Sequence, residues 1–245
     1  MPASRSGGSA GRVGLARALS KLGILSRSQA TDAVRAGRVR VDGVIVRDPL
    51  RLVVPERARI AVDDETRPRA PRRTIVVHKP RGVVTTRHDP EGRKTIYDVL
   101  GREGEGLVPV GRLDLASTGL LMLTTDTQFA NWVTDPANAV PRIYLVTVRG
   151  ELRPEVAAAL PAASVVVRKS SARESHLTVE LTRGRNREIR RMFESIGCDV
   201  TRLKRVRFGG LEIGDLEPGE WRAISRDELR RSFPRWAPST GRPTT

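Results

Sequence analysis

The chain has 245 residues, enough for one large domain or for a medium domain plus a small module. Lys and Arg number 44 against 28 Asp and Glu, a net charge of +16, which points to a polyanionic partner because Lys and Arg release counterions when they contact phosphates. One cysteine, Cys198, excludes an intramolecular disulfide, three scattered histidines make no zinc-site spacing, and no run reaches the roughly 18 apolar residues of a membrane-spanning helix.

Residues 1–11, MPASRSGGSAG, are rich in Gly and Ser and lack an apolar stretch, so they read as a disordered arm and not as a signal peptide. With the lone cysteine, this predicts a cytoplasmic protein that works without a membrane. Residues 12–62 read as a compact unit. Leu15, Ala18, Leu19 and Leu22 recur at helical spacing and Gly23 stops the turn. Ser26 and Gln29 have capping-box spacing, and the helix they open would bury Ala30, Ala33 and Val34 and end at Gly37. Asp42-Gly43 between the alternating segments 38–41 and 44–46 is a hairpin signal.

This unit carries eight basic residues between positions 12 and 47, opposed by Asp32 and Asp42 alone, which favours a nucleic-acid footprint over a merely solvated face. The pattern LARALSKLGILSRSQATDAVRAGRVRVDGVIV resembles the small RNA-binding module first seen in ribosomal protein S-four. The resemblance implies that Arg17, Lys21, Arg27, Arg35, Arg38 and Arg40 grip the backbone of structured RNA. Recognition of that kind reads shape.

Residues 63–73, DDETRPRAPRR, mix charge and proline without periodicity and read as a linker. A larger domain over 74–234 opens with the strand-like Thr74–Val77 and continues through strands at Tyr144–Val148 and His176–Leu181. Helical stretches fall near Thr127–Val133 and Glu155–Leu160. Strands and helices without a βαβ rhythm predict an α+β domain on a mixed, mainly antiparallel sheet. Residues 235–245 read as a tail.

Two segments of this domain carry chemistry. In GRLDLASTGLLMLTTD, Asp114 is a single carboxylate between an arginine-bearing turn and an apolar run, with no His, Ser or metal ligand beside it. A lone acid of this kind suits nucleophilic catalysis without a cofactor, and it also suits an Asp that merely caps a turn. In the predicted helix 185–197, Ile189, Met192, Phe193 and Ile196 share one face, Asn186 can cap the start and Gly197 the end. That leaves Arg190 and Arg191 on the flanks. Positions 181–207 hold nine basic residues against three acids. Here an ordinary RNA-facing helix and a catalytic arginine are both open.

Together with HKPRG at 78–82, RIY at 142–144 and GRNREIRRMFESIGCDVTRLKRVRFGG, these motifs resemble, in the same order, the pseudouridine synthases of the RsuA/RluB type. Members of that family also carry an N-terminal S-four module, so both halves of the chain lead to one answer. The resemblance implies that Asp114 is the nucleophile on a target uridine of ribosomal RNA, probed by flipping the nucleotide out of its stack. It implies that Tyr144 packs against the base and serves proton transfer at carbon five, and that Arg190 keeps Asp114 ionised. Arg112 would help to hold the flipped nucleotide, with Arg185, Arg187 and Arg191 on the RNA. No cofactor or metal is implied, the partner is ribosomal RNA (large-subunit RNA first) or a pre-ribosomal particle, and the protein is expected to be a monomer.

Three positions depart from the family pattern: Glu188 stands where Gln is usual, Arg142 where Lys is common, and Ala116 where many members are polar. They bear on rate or RNA choice. Lys79–Gly82 reads as a turn, the segment 203–207 as a strand with its basic residues facing RNA, and Trp132, Trp221 and Trp236 as isolated packing residues. The alternatives are a non-catalytic ribosome-assembly factor, which has no need of Asp114, Tyr144 and Arg190 together, and a helix-turn-helix DNA-binding regulator, for which the hairpin is the wrong context.

Overall fold

The computed structural model describes residues 12–22, 24–25, 27–55, 57–63 and 72–236. The expected arm, the linker positions 64–71, the tail beyond 236, the proposed stop at Gly23 and the proposed cap at Ser26 lie outside the described residues. Clustering of the chain gives two units, residues up to Arg72 with Thr125–Thr127, and Arg73–Thr124 with Gln128 onward.

In the first unit, helices α1 (Leu15–Lys21) and α2 (Arg27–Arg35) precede strands β1 (Val39–Val41) and β2 (Val44–Val46), as the sequence predicts. Asp42 and Gly43 have φ of 52° and 85°. Two left-handed central residues define the turn whose twist matches that of the paired strands, and the Asp-Gly dipeptide supplies them at low cost. A third strand, β3 (Ile60–Val62), pairs antiparallel with β1. The helices bury Leu15, Leu19, Ala30, Ala33 and Val34 against Val39 and Val62.

The second unit is built on one mixed sheet. Its main strands are β4 (Thr74–Lys79), β5 (Thr118–Thr124), β6 (Arg142–Arg149), β7 (Ser164–Ser170), β8 (Glu174–Leu181), β9 (Val200–Phe208) and β10 (Trp221–Ala223), with the short strands Val108–Pro109 and Leu211–Glu212 added beside β5 and β9. They lie in the order β7-β8-β6-β9-β5-β4-β10, and only β9 and β5 run parallel. The central strands β4 and β5 are apolar at every position from 75 to 77 and from 120 to 123 because both faces are covered. Helices α3 (Ile96–Leu100), α5 (Pro154–Ala158) and α6 (Glu188–Glu194) contribute Ile96, Ala157 and Phe193 to one core. Helix α4 (Thr127–Thr134) contributes Phe129 and Val133 to the other, and Phe233 follows α7 (Arg226–Ser232) into it.

Three expectations are corrected. Helix α6 begins at Glu188 with Arg187 as its left-handed N-cap, and Asn186 does not cap it; the Glu188 carboxylate accepts from the Arg185 amide instead, at 2.9 Å. Trp132 and Trp236 are not isolated, since their rings lie 5.6 Å apart and Phe129 lies 5.7 Å from Trp236. Strand β9 does not turn all its basic residues outward: Arg205 is buried. A register shift between Arg205 and Arg207 changes the alternation there.

Candidate active site

Asp114 sits in the turn that leads into β5, and that turn is fastened from several directions. Ser117 donates its amide to the Asp114 carbonyl at 3.0 Å, and Gly82 donates to the Leu115 carbonyl at 2.8 Å. The Thr85 hydroxyl donates to the Leu113 carbonyl at 3.0 Å and accepts from the Leu113 amide at 3.3 Å. Lys79, fully buried at the end of β4, donates from Nζ to the carbonyls of Ser117 and Pro80, each at 2.8 Å. The nucleophile candidate therefore rides on a rigid segment, as a preorganised site needs.

One row of register partners crosses the sheet beside this turn. Val179 of β8 opposes Tyr144 of β6, Tyr144 opposes Arg205 of β9, Arg205 opposes Gly119 of β5, and Gly119 opposes Lys79 of β4. Gly119 has φ of +104°, and a Cβ there would lie 2.7 Å from the Arg205 amide nitrogen. Only glycine allows β5 and β9 to pair this closely.

Above the row lies a cavity of about 270 Å³. That is near the small end of ligand pockets, roughly 300–1,000 Å³, and suits one flat ring. Asp114, Tyr144 and Arg190 all line it, as do Arg112, Arg185 and Arg187. The structure thus gathers six of the side chains singled out from sequence. Arg191 does not line it and is exposed on α6. Arg17, Arg27, Arg35, Arg38 and Arg40 are on the first unit; Lys21 ends α1, and its side chain lies outside the described residues.

Arg190 differs from its expected flank position, because its guanidinium turns inward. Nη1 donates to the Val200 carbonyl at 2.9 Å, while Nε and Nη2 are buried without a hydrogen-bond partner. Burial lowers its pKa, Arg187 and Arg81 act in the same direction, and Asp114 opposes them. Lys79 is brought down to about 8, chiefly by burial, again with Asp114 opposing. Two buried cations therefore share the field of one carboxylate.

Sequence reasoning placed Lys79 in a turn against the active-site strand but missed its buried ammonium as a donor to the Ser117 carbonyl, and missed Thr85 altogether. It also missed the burial of Arg142 and Arg205. Arg142 is 5% exposed and donates to the carbonyls of Val140 and Thr182, each at 3.0 Å, and of Val133 at 3.2 Å. Burial lowers its pKa, with Tyr144 opposing. A usable signal was present: an arginine at a position where strand alternation calls for an apolar residue. Among the described residues, no three His, Cys, Asp or Glu side chains cluster so as to hold a metal ion.

Comparison with known proteins gives two family matches, RNA pseudouridylate synthase over residues 73–195 and S4 domain over residues 13–56. The chain is similar to ribosomal large subunit pseudouridine synthase B of Pseudomonas aeruginosa, with 37% identity over 88% of the chain and 60% of that protein. The proteins of the same description from Vibrio vulnificus (36% identity, 88% of the chain, 72% of that protein) and Bacillus subtilis (30%, 89% and 94%) are also similar. The chain thus spans somewhat under two thirds of the Pseudomonas relative's length and nearly all of the Bacillus one's. Among solved structures, a pseudouridylate synthase crystal structure superposes with a TM-score of 0.61 at 27% identity, covering 90% of this chain and 99% of the other.

Proposed function

The chain belongs to the RNA pseudouridylate synthase family, and on that premise we propose that it isomerises a specific uridine of ribosomal RNA, in the large subunit, to pseudouridine. The observation that carries this reading is the convergence of Asp114, Tyr144 and Arg190 on one cavity, on three separate elements of the fold. The relatives named for large-subunit RNA support the choice of substrate, and the S4 domain match supports a folded RNA as the partner.

In the proposed reaction, the target nucleotide leaves its stack and enters the cavity, at a cost of a few kcal/mol. Exposed Arg112, Arg185 and Arg187 at the mouth suit its flanking phosphates. Asp114 attacks the nucleotide and opens a covalent route. The bond between N1 and C1′ breaks, the uracil turns within the cavity, C5 bonds to C1′, and the bond to Asp114 breaks to return the free carboxylate. C5 then loses its proton and N1 gains one, so atoms and electrons balance with no external group. Tyr144 packs on the base and serves the proton transfer, its contribution coming from position since a phenol is a weak base at neutral pH. Arg190 supplies a positive charge within the field of Asp114.

The test is site-resolved pseudouridine mapping of ribosomal RNA incubated with wild type and with Asp114→Asn. A pseudouridine made by wild type alone is expected. Normal turnover by Asp114→Asn would overturn the mechanism. RNA binding by wild type without any modification would favour the assembly-factor reading.

A further inference from the structure

Arg205 has a place in the site that the reaction above leaves unused. It is 3% exposed, and its Nε donates to the Leu120 carbonyl at 2.7 Å. Its guanidinium lies 4.8 Å from the centre of the Phe208 ring, on which Arg142 also lies at 4.8 Å. Arg142 is occupied by three carbonyls. Arg205 is not: its Nη2 is buried with no hydrogen-bond partner, and the residue lines the cavity next to its register partner Tyr144. A charged donor buried without an acceptor is costly unless something arrives to accept from it.

The surroundings say what would accept. The cavity's exposed arginines, Arg112, Arg185 and Arg187, are at its mouth, where phosphates would lie. Arg205 belongs instead with the buried lining, among Tyr144, Leu181, Ile189 and Leu203. An apolar and aromatic floor with one cationic donor suits a flat ring that carries an acceptor on its edge.

We propose that Arg205 is a specificity-determining residue of this site, donating from Nη2 to the carbonyl oxygen at position 4 of the pocketed base. A guanidinium only donates. Uracil presents an acceptor at position 4, whereas cytosine presents an amino group that also donates, so the contact admits the first and rejects the second. This assignment rests on the proposed uridine isomerisation.

The experiment uses the full chain and three short RNAs spanning the mapped site: with uridine, with 4-thiouridine, and with uridine carrying a methylphosphonate in place of its 5′ phosphate. Single-turnover rates are measured for wild type, Arg205→Gln and Arg205→Lys. Sulfur is a poor acceptor, so 4-thiouridine is expected to slow wild type about tenfold or more, the scale of a charge-assisted hydrogen bond. Arg205→Gln is expected to slow the uridine RNA by a similar factor and to show no further loss with 4-thiouridine, while its methylphosphonate penalty equals that of wild type. A 4-thiouridine penalty that persists in Arg205→Gln, with the methylphosphonate penalty gone, would place Arg205 on a phosphate and overturn the assignment. So would a wild type indifferent to 4-thiouridine. If Arg205→Gln does not fold, Arg205→Lys carries the same comparison with the charge kept. If wild type binds the RNAs without isomerising them, the proposed function fails separately, and equilibrium affinities for the same three RNAs still read the Arg205 contact.

Discussion

Lys79 donates from Nζ to the Ser117 carbonyl at 2.8 Å, which fastens the end of one central strand to the turn that carries Asp114. The bond is inside the protein, and no carboxylate pairs with the ammonium at contact distance; Asp114 acts on it through space. Position and charge at the nucleophile candidate thus depend on a residue that never needs to touch RNA.

The pH dependence of stability exposes this arrangement. Unfolded, Lys79 titrates near 10.5; folded, burial brings it down to about 8. Between those values the unfolded chain keeps a proton that the folded protein has released, so stability from this group rises with pH from about 8 to about 10.5. The neutral amine still has two donors, enough for both carbonyls. Urea unfolding of wild type and Lys79→Met at pH 7.5 and pH 10 should show wild type gaining relative to the variant at the higher pH. An equal difference at both would mean that the ammonium is not desolvated.

Arg190 separates charge from shape. Arg190→Met keeps the α6 packing of Ile189, Met192 and Phe193 but removes a cation from the field of Asp114. Turnover should fall about a hundredfold or more, the scale seen when one preorganised electrostatic group is removed, with RNA affinity little changed. Arg190→Lys should recover part of the loss because it restores the charge without the guanidinium fork. Equal loss in both variants would assign Arg190 a packing role.

Much of this was legible in the sequence, for reasons that differ between elements. The first hairpin was readable because Asp42-Gly43 fixes its own turn, and the face of α2 because Ala30, Ala33 and Val34 repeat at helical spacing. Strand β3 was not, since Ile60–Val62 has no turn signal and is held by pairing with β1. The cap of α6 was misread because the helix starts at Glu188, one residue later than an Asn186 cap requires, with Arg187 in the cap position and the Glu188 carboxylate accepting from the Arg185 amide. Gly119 looked like any glycine in a strand until β9 arrived beside it from 86 residues away in the sequence, Arg205 against Gly119. Buried arginines are the general difficulty. Composition assigns them to solvent or RNA, and only the fold reveals which carbonyls take them in.

Arg142 illustrates the energetic side. Its three hydrogen bonds tie the end of α4 at Val133, the approach to β6 at Val140, and the loop after β8 at Thr182. Arg142→Met would leave these carbonyls unsatisfied, at roughly 1–3 kcal/mol for each that finds no water, partly offset by relief of a buried charge. A net loss of about 2–4 kcal/mol is expected, read from the urea midpoint at unchanged slope. Arg142→Lys should recover less than half, because one ammonium cannot reach three diverging carbonyls. Wild-type stability in Arg142→Met would mean that the loops are held by other contacts.

The basic residues of the first unit should divide by their free charge. Arg38 is engaged by Asp63, donating from Nε at 2.7 Å, and the pair holds its pKa above the ordinary value. Arg27 and Arg35 are exposed on α2, and Arg17 is exposed on α1. Each free arginine that meets a phosphate adds about one unit to the slope of log affinity against log salt. Arg17→Ala, Arg27→Ala and Arg35→Ala should each lower that slope by about one and weaken binding to the natural RNA at low salt. Arg38→Ala should lower it less, because the wild-type charge is already compensated by Asp63. The measurement is a salt titration of RNA affinity for all four variants. Slopes that match wild type throughout would mean that this face of the module does not meet the backbone, and that the charge excess of the chain is spent at the arginines around the cavity instead.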